Sequence, residues 1–140
     1  MSTAAVFGTG SWGTAYAAVL ADGGTPVRMW GRRQEAVDLV NAGCNRDYLP
    51  DLALPPTVTA TTDPEEAVRG ADIVVLAVPS QTLRTNLATW GHVLGDAKAV
   101  VSLMKGVELG TLMRMSEVIQ EVTDLITERH AGDHSLGVGA

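Results

Sequence analysis

Three glycines at the spacing GxGxxG stand in Gly8-Thr9-Gly10-Ser11-Trp12-Gly13. Taken alone this spacing says little, because glycine-rich turns are common. Its setting gives it meaning. A short apolar run, Ala4 to Phe7, reads as a buried strand stopped at Gly8, and the Ala-rich stretch from Gly13 to about Asp22 reads as a helix closed by Gly23-Gly24. Between a strand and a helix the glycines have separate tasks. Gly8 permits a tight turn, Gly10 lets a pyrophosphate approach the backbone, and Gly13 allows close helix–strand packing. The helix start adds unpaired N–H groups and the positive end of its dipole. The chemistry this predicts is dinucleotide binding.

Cationic side chains follow at two later turns. A second strand, Val27 to Trp30, runs into Gly31-Arg32-Arg33. NAD-selective domains place Asp or Glu there for the ribose 2′-hydroxyl, and no carboxylate is present. Arg32 and Arg33 can clamp a 2′-phosphate in bidentate fashion, so NADP(H) is the preferred cofactor on this reading and NAD(H) a second one. The alternative is a pair of solvated arginines opening a helix. Lys105, in Ser102-Leu103-Met104-Lys105-Gly106-Val107-Glu108, follows a fifth apolar strand and either holds a phosphate or substrate oxygen as a point charge or is an ordinary surface lysine. Val78-Pro79-Ser80-Gln81 ends the strongest strand; Pro79 and Ser80 either line the crevice or simply stop a strand and cap a helix.

The remaining candidates read more plainly. Cys44 is the single cysteine, with no base beside it, and reads as a small loop residue in a reducing, cytoplasmic setting. His130 and His134 are four apart, but Gly132 lies between them and no other ligand is evident, so no metal site is expected.

The elements that must position these residues alternate along the chain. A second helix spans Gln34 to Asn41, a third strand Thr57 to Thr61, and Ala71 to Val78 is a central strand, continuously apolar after Asp72. Asp63-Pro64-Glu65-Glu66 has the pattern of a capping box opening a short helix. Ser80 is placed to cap a helix carrying Leu83, Leu87 and Trp90, Ala99 to Leu103 is the fifth strand, and Leu112, Met115, Ile119, Val122 and Ile126 form one face of an amphipathic helix. Residues Ala42 to Pro56 make a long connection of the kind that is often functional. The predicted fold is α/β: a Rossmann-type, doubly wound, mostly parallel sheet with helices on both faces over residues 1–131, and an irregular tail over residues 132–140.

Composition agrees with this and excludes other classes. Hydrophobic residues make up 46% of the 140, enough for one packed core, and the formal net charge is −6. That balance argues against a nucleic-acid or membrane-surface partner, which calls for a basic face. The turn at Gly8 interrupts the N-terminal apolar stretch, so no signal peptide is expected.

GTGSWG, the GRR after the second strand, Tyr48-Leu49-Pro50 in the long connection, VPSQ and above all SLMKGVE resemble, in order and spacing over roughly residues 1 to 123, the bacterial NAD(P)-dependent glycerol-3-phosphate dehydrogenases. The resemblance implies reversible hydride transfer between dihydroxyacetone phosphate and sn-glycerol 3-phosphate for glycerophospholipid synthesis, with the cofactor carrying the hydride. It implies that Ser11, Trp12, Arg32, Arg33 and Tyr48 contact the nucleotide and that Lys105 meets both cofactor and substrate. It also implies a further strand, a Gly-Pro-Asn segment and a helical domain whose lysine is the general acid/base. The sequence departs from that pattern after about residue 123, as if truncated or shifted in frame, so no proton-transferring residue is expected in it. A different Rossmann dehydrogenase, of 6-phosphogluconate or hydroxyisobutyrate type, is disfavoured by SLMKGVE, and a non-catalytic dinucleotide-binding module is the other alternative. The partner expected is a small-molecule substrate, with homo-oligomerisation left open.

Overall fold

Successive residues of a strand point to opposite faces of a sheet, and the central strands here are apolar on both. In β1 (Ala4–Phe7), Ala5 and Phe7 belong to one buried cluster while Ala4 and Val6 belong to another. In β4 (Ile73–Leu76), Val74 and Leu76 join the first cluster and Val75 the second. With β2 (Val27–Trp30), β3 (Val58–Thr61) and β5 (Ala99–Ser102) they form one sheet in the order β3-β2-β1-β4-β5, every pairing parallel. These facts come from a computed structural model that describes residues 2–138, apart from the side chains of Asp96 and residues 127–138.

A sheet apolar on both faces needs helices on both. Helices α1 (Ser11–Asp22) and α2 (Gln34–Asn41) send Ala17, Ala18 and Val40 into one cluster. Helices α3 (Pro64–Val68), α4 (Leu83–Trp90) and α5 (Met115–Val138) send Ala67, Leu87 and Val118, among others, into the other. The doubly wound α/β fold is therefore as expected. At the centre of the first cluster Phe7 packs on Trp90, ring centroids 4.4 Å apart, and Trp30 lies 5.5 Å from each. Among the described residues no helix is long and apolar enough to cross a membrane.

Local chemistry departs from the sequence reading in four places. Asp63 caps α3 through Glu65 N (3.0 Å), but Glu66 does not return the bond, because its carboxylate takes the Thr61 hydroxyl (3.1 Å). Ser80 makes no side-chain cap; a 3-10 turn over Ser80–Thr82 leads into α4, and the Thr82 hydroxyl bonds back to the Pro79 carbonyl (2.6 Å). Leu112 is outside α5, 73% exposed with φ +59°, since Leu112 N bonds to Glu108 O (2.9 Å) and Glu108 N to Met113 O (2.8 Å), closing a tight loop instead of a first helical turn. Finally, α5 continues to Val138 where an irregular tail was expected from residue 132. Extending a helix already packed through Met115, Val118 and Val122 costs far less than nucleating one, so α5 runs on through Gly132 and Gly137. The His130 and His134 side chains, and residues 139 and 140, lie outside the described residues.

One ion-pair network binds α4, α5 and the loop after β5. Arg84 donates to both oxygens of Glu108 (Nε 2.9 Å, Nη2 3.0 Å) and to Glu121 (2.7 Å), while the Thr111 hydroxyl donates to Glu108 (2.6 Å). The Arg84 guanidinium, and then the Thr111 hydroxyl, hold the Glu108 carboxyl below its ordinary value of 4.5, and the same pairing raises Arg84.

Replacing Leu87, fully buried, by alanine is expected to cost about 2–5 kcal/mol in urea unfolding, whereas exposed Val19→Ala should stay within about 0.5 kcal/mol. A second expectation concerns acid. Because the folded pKa of Glu108 lies below the unfolded one, its contribution is fully present above the ordinary carboxylate value and is lost as pH falls through the lowered one. Thermal melts between about pH 6 and about pH 3 should therefore lose Tm less steeply in Glu108→Gln than in the parent; identical slopes would remove Glu108 from the acid response.

Candidate functional site

The turn between β1 and α1 is built where three backbones meet with no side chain between them. Gly8 has φ +122°, a conformation L side chains rarely adopt, and a Cβ there would lie 2.5 Å from the Ala77 carbonyl oxygen just after β4. A Cβ on Gly13 would fall on the Gly8 carbonyl oxygen, with Ala77 Cβ 3.4 Å away. Around Gly10, by contrast, a Cβ would meet nothing within 4 Å. Two glycines are thus required by packing and the third faces open space. Gly10 is also the N-cap of α1 and supplies no side-chain cap, so the N–H groups of the first turn are free for an anion.

That open space belongs to a cleft of about 730 Å³ across the carboxyl ends of the strands, at the point between β1 and β4 where the strand order reverses. Gly8, Gly10, Ser11 and Trp12 line it. Tyr48 lines it too, as do Arg32 and Arg33, which follow β2 on one side of that reversal, and Pro79 and Lys105, which follow β4 and β5 on the other. Every residue that the sequence reading gave to cofactor or substrate lines the cleft except Gly13, which sits beneath the turn. Pro79 serves as both alternatives had it, lining the cleft and standing as N-cap of the 3-10 turn.

Its electrostatics are local and positive. Arg32 and Arg33 are exposed and take part in none of the ion pairs found among the described residues. Lys105 has no carboxylate partner among them either, and its Nζ stands over the Trp12 ring, 5.7 Å from the centroid. Trp12 is itself 73% exposed. Glu108, three residues from Lys105, is engaged by Arg84 and so does not neutralise it. Among the described residues no three His, Cys, Asp or Glu side chains gather as a metal site would require.

Three positioning contacts were not foreseen. Gln81 grips the loop beyond Lys105 from both sides, donating to Val107 O (2.9 Å) and accepting from Leu109 N (2.9 Å). Gly31 lets the end of β2 meet the turn, since a Cβ there would lie 2.8 Å from Thr9 Cγ2. Asn45, 1% exposed in the long connection, bonds to Thr9 and Thr14 and so ties the Tyr48 segment to the turn. Among the described residues no donor reaches its buried Oδ1. Only GxGxxG spacing marked its neighbours; an asparagine in a polar stretch carries no such signal. Cys44 is the loop residue expected, its thiol donating to Pro50 O (3.3 Å).

Comparison with known proteins places this geometry. A family model described as NAD-dependent glycerol-3-phosphate dehydrogenase N-terminus matches residues 3–129. Glycerol-3-phosphate dehydrogenase (NAD(P)+) of Streptomyces avermitilis is 59% identical over 129 residues, 91% of this chain and 38% of that protein. The enzyme named glycerol-3-phosphate dehydrogenase (NAD(P)+) 2 of Mycobacterium tuberculosis is 55% identical over 123 residues, 87% of this chain and 37% of its own. The crystal structure of glycerol-3-phosphate dehydrogenase from Coxiella burnetii superimposes with a TM-score of 0.79 at 32% identity, over 87% of this chain and 38% of that one. The chain thus spans under two fifths of the length of these relatives. An imine reductase of Streptomyces aurantiacus, 20% identical at a TM-score of 0.61, shares the fold alone. On the match over residues 3–129, the chain belongs to the NAD-dependent glycerol-3-phosphate dehydrogenase family, as its N-terminal part.

Proposed function

We propose that this chain is the cofactor-holding part of an oxidoreductase that interconverts dihydroxyacetone phosphate and sn-glycerol 3-phosphate, for glycerophospholipid synthesis in a cytoplasmic setting. The observation that carries the reading is the glycine turn: Gly8 and Gly13 are dictated by packing, while Gly10 opens on the cleft with the start of α1 behind it. A pyrophosphate fits where a side chain at Gly10 would stand. Arg32 and Arg33, at the end of β2 and in no ion pair among the described residues, fit a 2′-phosphate, so NADP(H) is the preferred dinucleotide and NAD(H) the weaker one.

When bound, the nicotinamide supplies or accepts the hydride. The chain's own residues orient and attract. N–H groups at the start of α1 hold the phosphates, Ser11 and Trp12 flank them, and Tyr48 closes the adenosine end. Lys105 offers a cation to the substrate's oxygen or phosphate from beside Trp12, on the loop that Gln81 and Arg84 grip. The proton that balances hydride transfer is assigned to none of these residues.

Gly10→Val is expected to abolish NADPH binding, read as loss of the change in Trp12 emission, because the side chain fills the space of the pyrophosphate; unchanged binding would sink the phosphate-cradle reading. In the double variant Arg32→Ala, Arg33→Ala, NADPH affinity should drop roughly tenfold or more, while NADH affinity should hardly move, given about 1.5–3 kcal/mol for hydrogen bonds to a charged group. Equal losses for the two dinucleotides would show that the arginines do not read the 2′-phosphate.

A further inference from the structure

A turn that receives phosphate must present N–H groups and keep its carbonyls turned away. In this turn the group at issue is the Thr9 carbonyl, between Gly8 and Gly10. It is not left to solvent. Asn45 Nδ2 donates to Thr9 O at 2.7 Å and to Thr14 Oγ1 at 2.9 Å, and Thr14 Oγ1 adds a longer bond of 3.4 Å to the same carbonyl. The amide reaches the turn from 36 residues away and is 1% exposed. On the other side the Thr9 methyl packs where a Cβ of Gly31 would be. Asn45 acts through its backbone too, its carbonyl accepting from Tyr48 N (3.2 Å) and Leu49 N (2.8 Å). One buried residue therefore fixes the phosphate turn and the loop that bears Tyr48. Because Oδ1 has no donor among the described residues, what the side chain contributes comes from Nδ2.

We propose that Asn45 is a positioning residue of the nucleotide site: by engaging the Thr9 carbonyl it holds the turn with its N–H groups, not this oxygen, towards the phosphates. The inference rests on the nucleotide-binding reading above. An amide is needed because Nδ2 serves two acceptors at once. A carboxylate of the same shape sets an oxygen against the Thr9 oxygen, and a methyl leaves that carbonyl with only the longer Thr14 bond.

The test titrates the 140-residue chain, and its Asn45→Ala and Asn45→Asp variants, with NADPH and with adenosine 2′-monophosphate, which offers the 2′-phosphate without the pyrophosphate. Thermal melting identifies the folded variants, and Asn45→Asp, which keeps the shape, carries the comparison if Asn45→Ala does not fold. NADPH affinity should fall about tenfold or more and the monophosphate's by less than about threefold, a split that general loosening of the fold would not produce. Parent-like NADPH binding in a folded variant, or equal losses for both ligands, overturns the role of Asn45 alone. A parent that binds neither ligand overturns the nucleotide reading and this inference with it.

Discussion

The contact on which the rest depends is the side-chain-free meeting of β1, α1 and the residue after β4. The Gly8 carbonyl occupies the place of a Gly13 Cβ, and the Ala77 carbonyl the place of a Gly8 Cβ. These contacts are backbone on backbone, so neither can yield by a rotamer change. They bring the first turn of α1 directly over the carboxyl end of the sheet. From that approach follow the direction of the α1 dipole, the position of the cleft at the reversal of strand order, and the exposure of Gly10 to it. A methyl at either packed glycine would press α1 away from the strands and misplace all three.

Charge is arranged with the same economy. The chain carries a net charge of −6, yet the cleft is rimmed by Arg32, Arg33 and Lys105. Attraction of an anion is therefore a property of the cleft and not of the surface at large. Keeping Lys105 free depends on Glu108 having a better partner. Arg84 grips that carboxylate with two bonds from α4, and Gln81, one turn earlier, holds the backbone of the same loop. A lysine on a loop is a flexible point charge; here the loop just beyond it is held at Val107, Glu108 and Leu109.

What could be read without the fold was whatever has a short-range cause. The apolar runs of β1 and β2 and the helix of Gln34–Asn41 follow from periodicity and punctuation, and their bounds agree with the sequence reading. The glycine turn was legible because strand, GxGxxG and helix are contiguous, and the lack of a carboxylate after β2 because that position is set by strand length. Local readings failed where a neighbour in space offered a better bond: Glu66 went to Thr61, and Leu112 was taken from the helix by the Glu108–Met113 loop.

The sequence by itself determined the alternation of strands and helices, the glycine turn and the cations that follow two of the strands, since each is written in residues close together in the chain. Tertiary structure alone decided that Asn45 meets Thr9, that Gln81 meets Val107 and Leu109, and that Lys105 stands over the Trp12 ring. Those pairs lie 26 to 93 residues apart, the nearest being Gln81 with Val107 and the farthest Trp12 with Lys105. No periodicity links residues so distant. They meet because parallel pairing gathers every strand's carboxyl end on one edge of the sheet, whatever the length of chain between them.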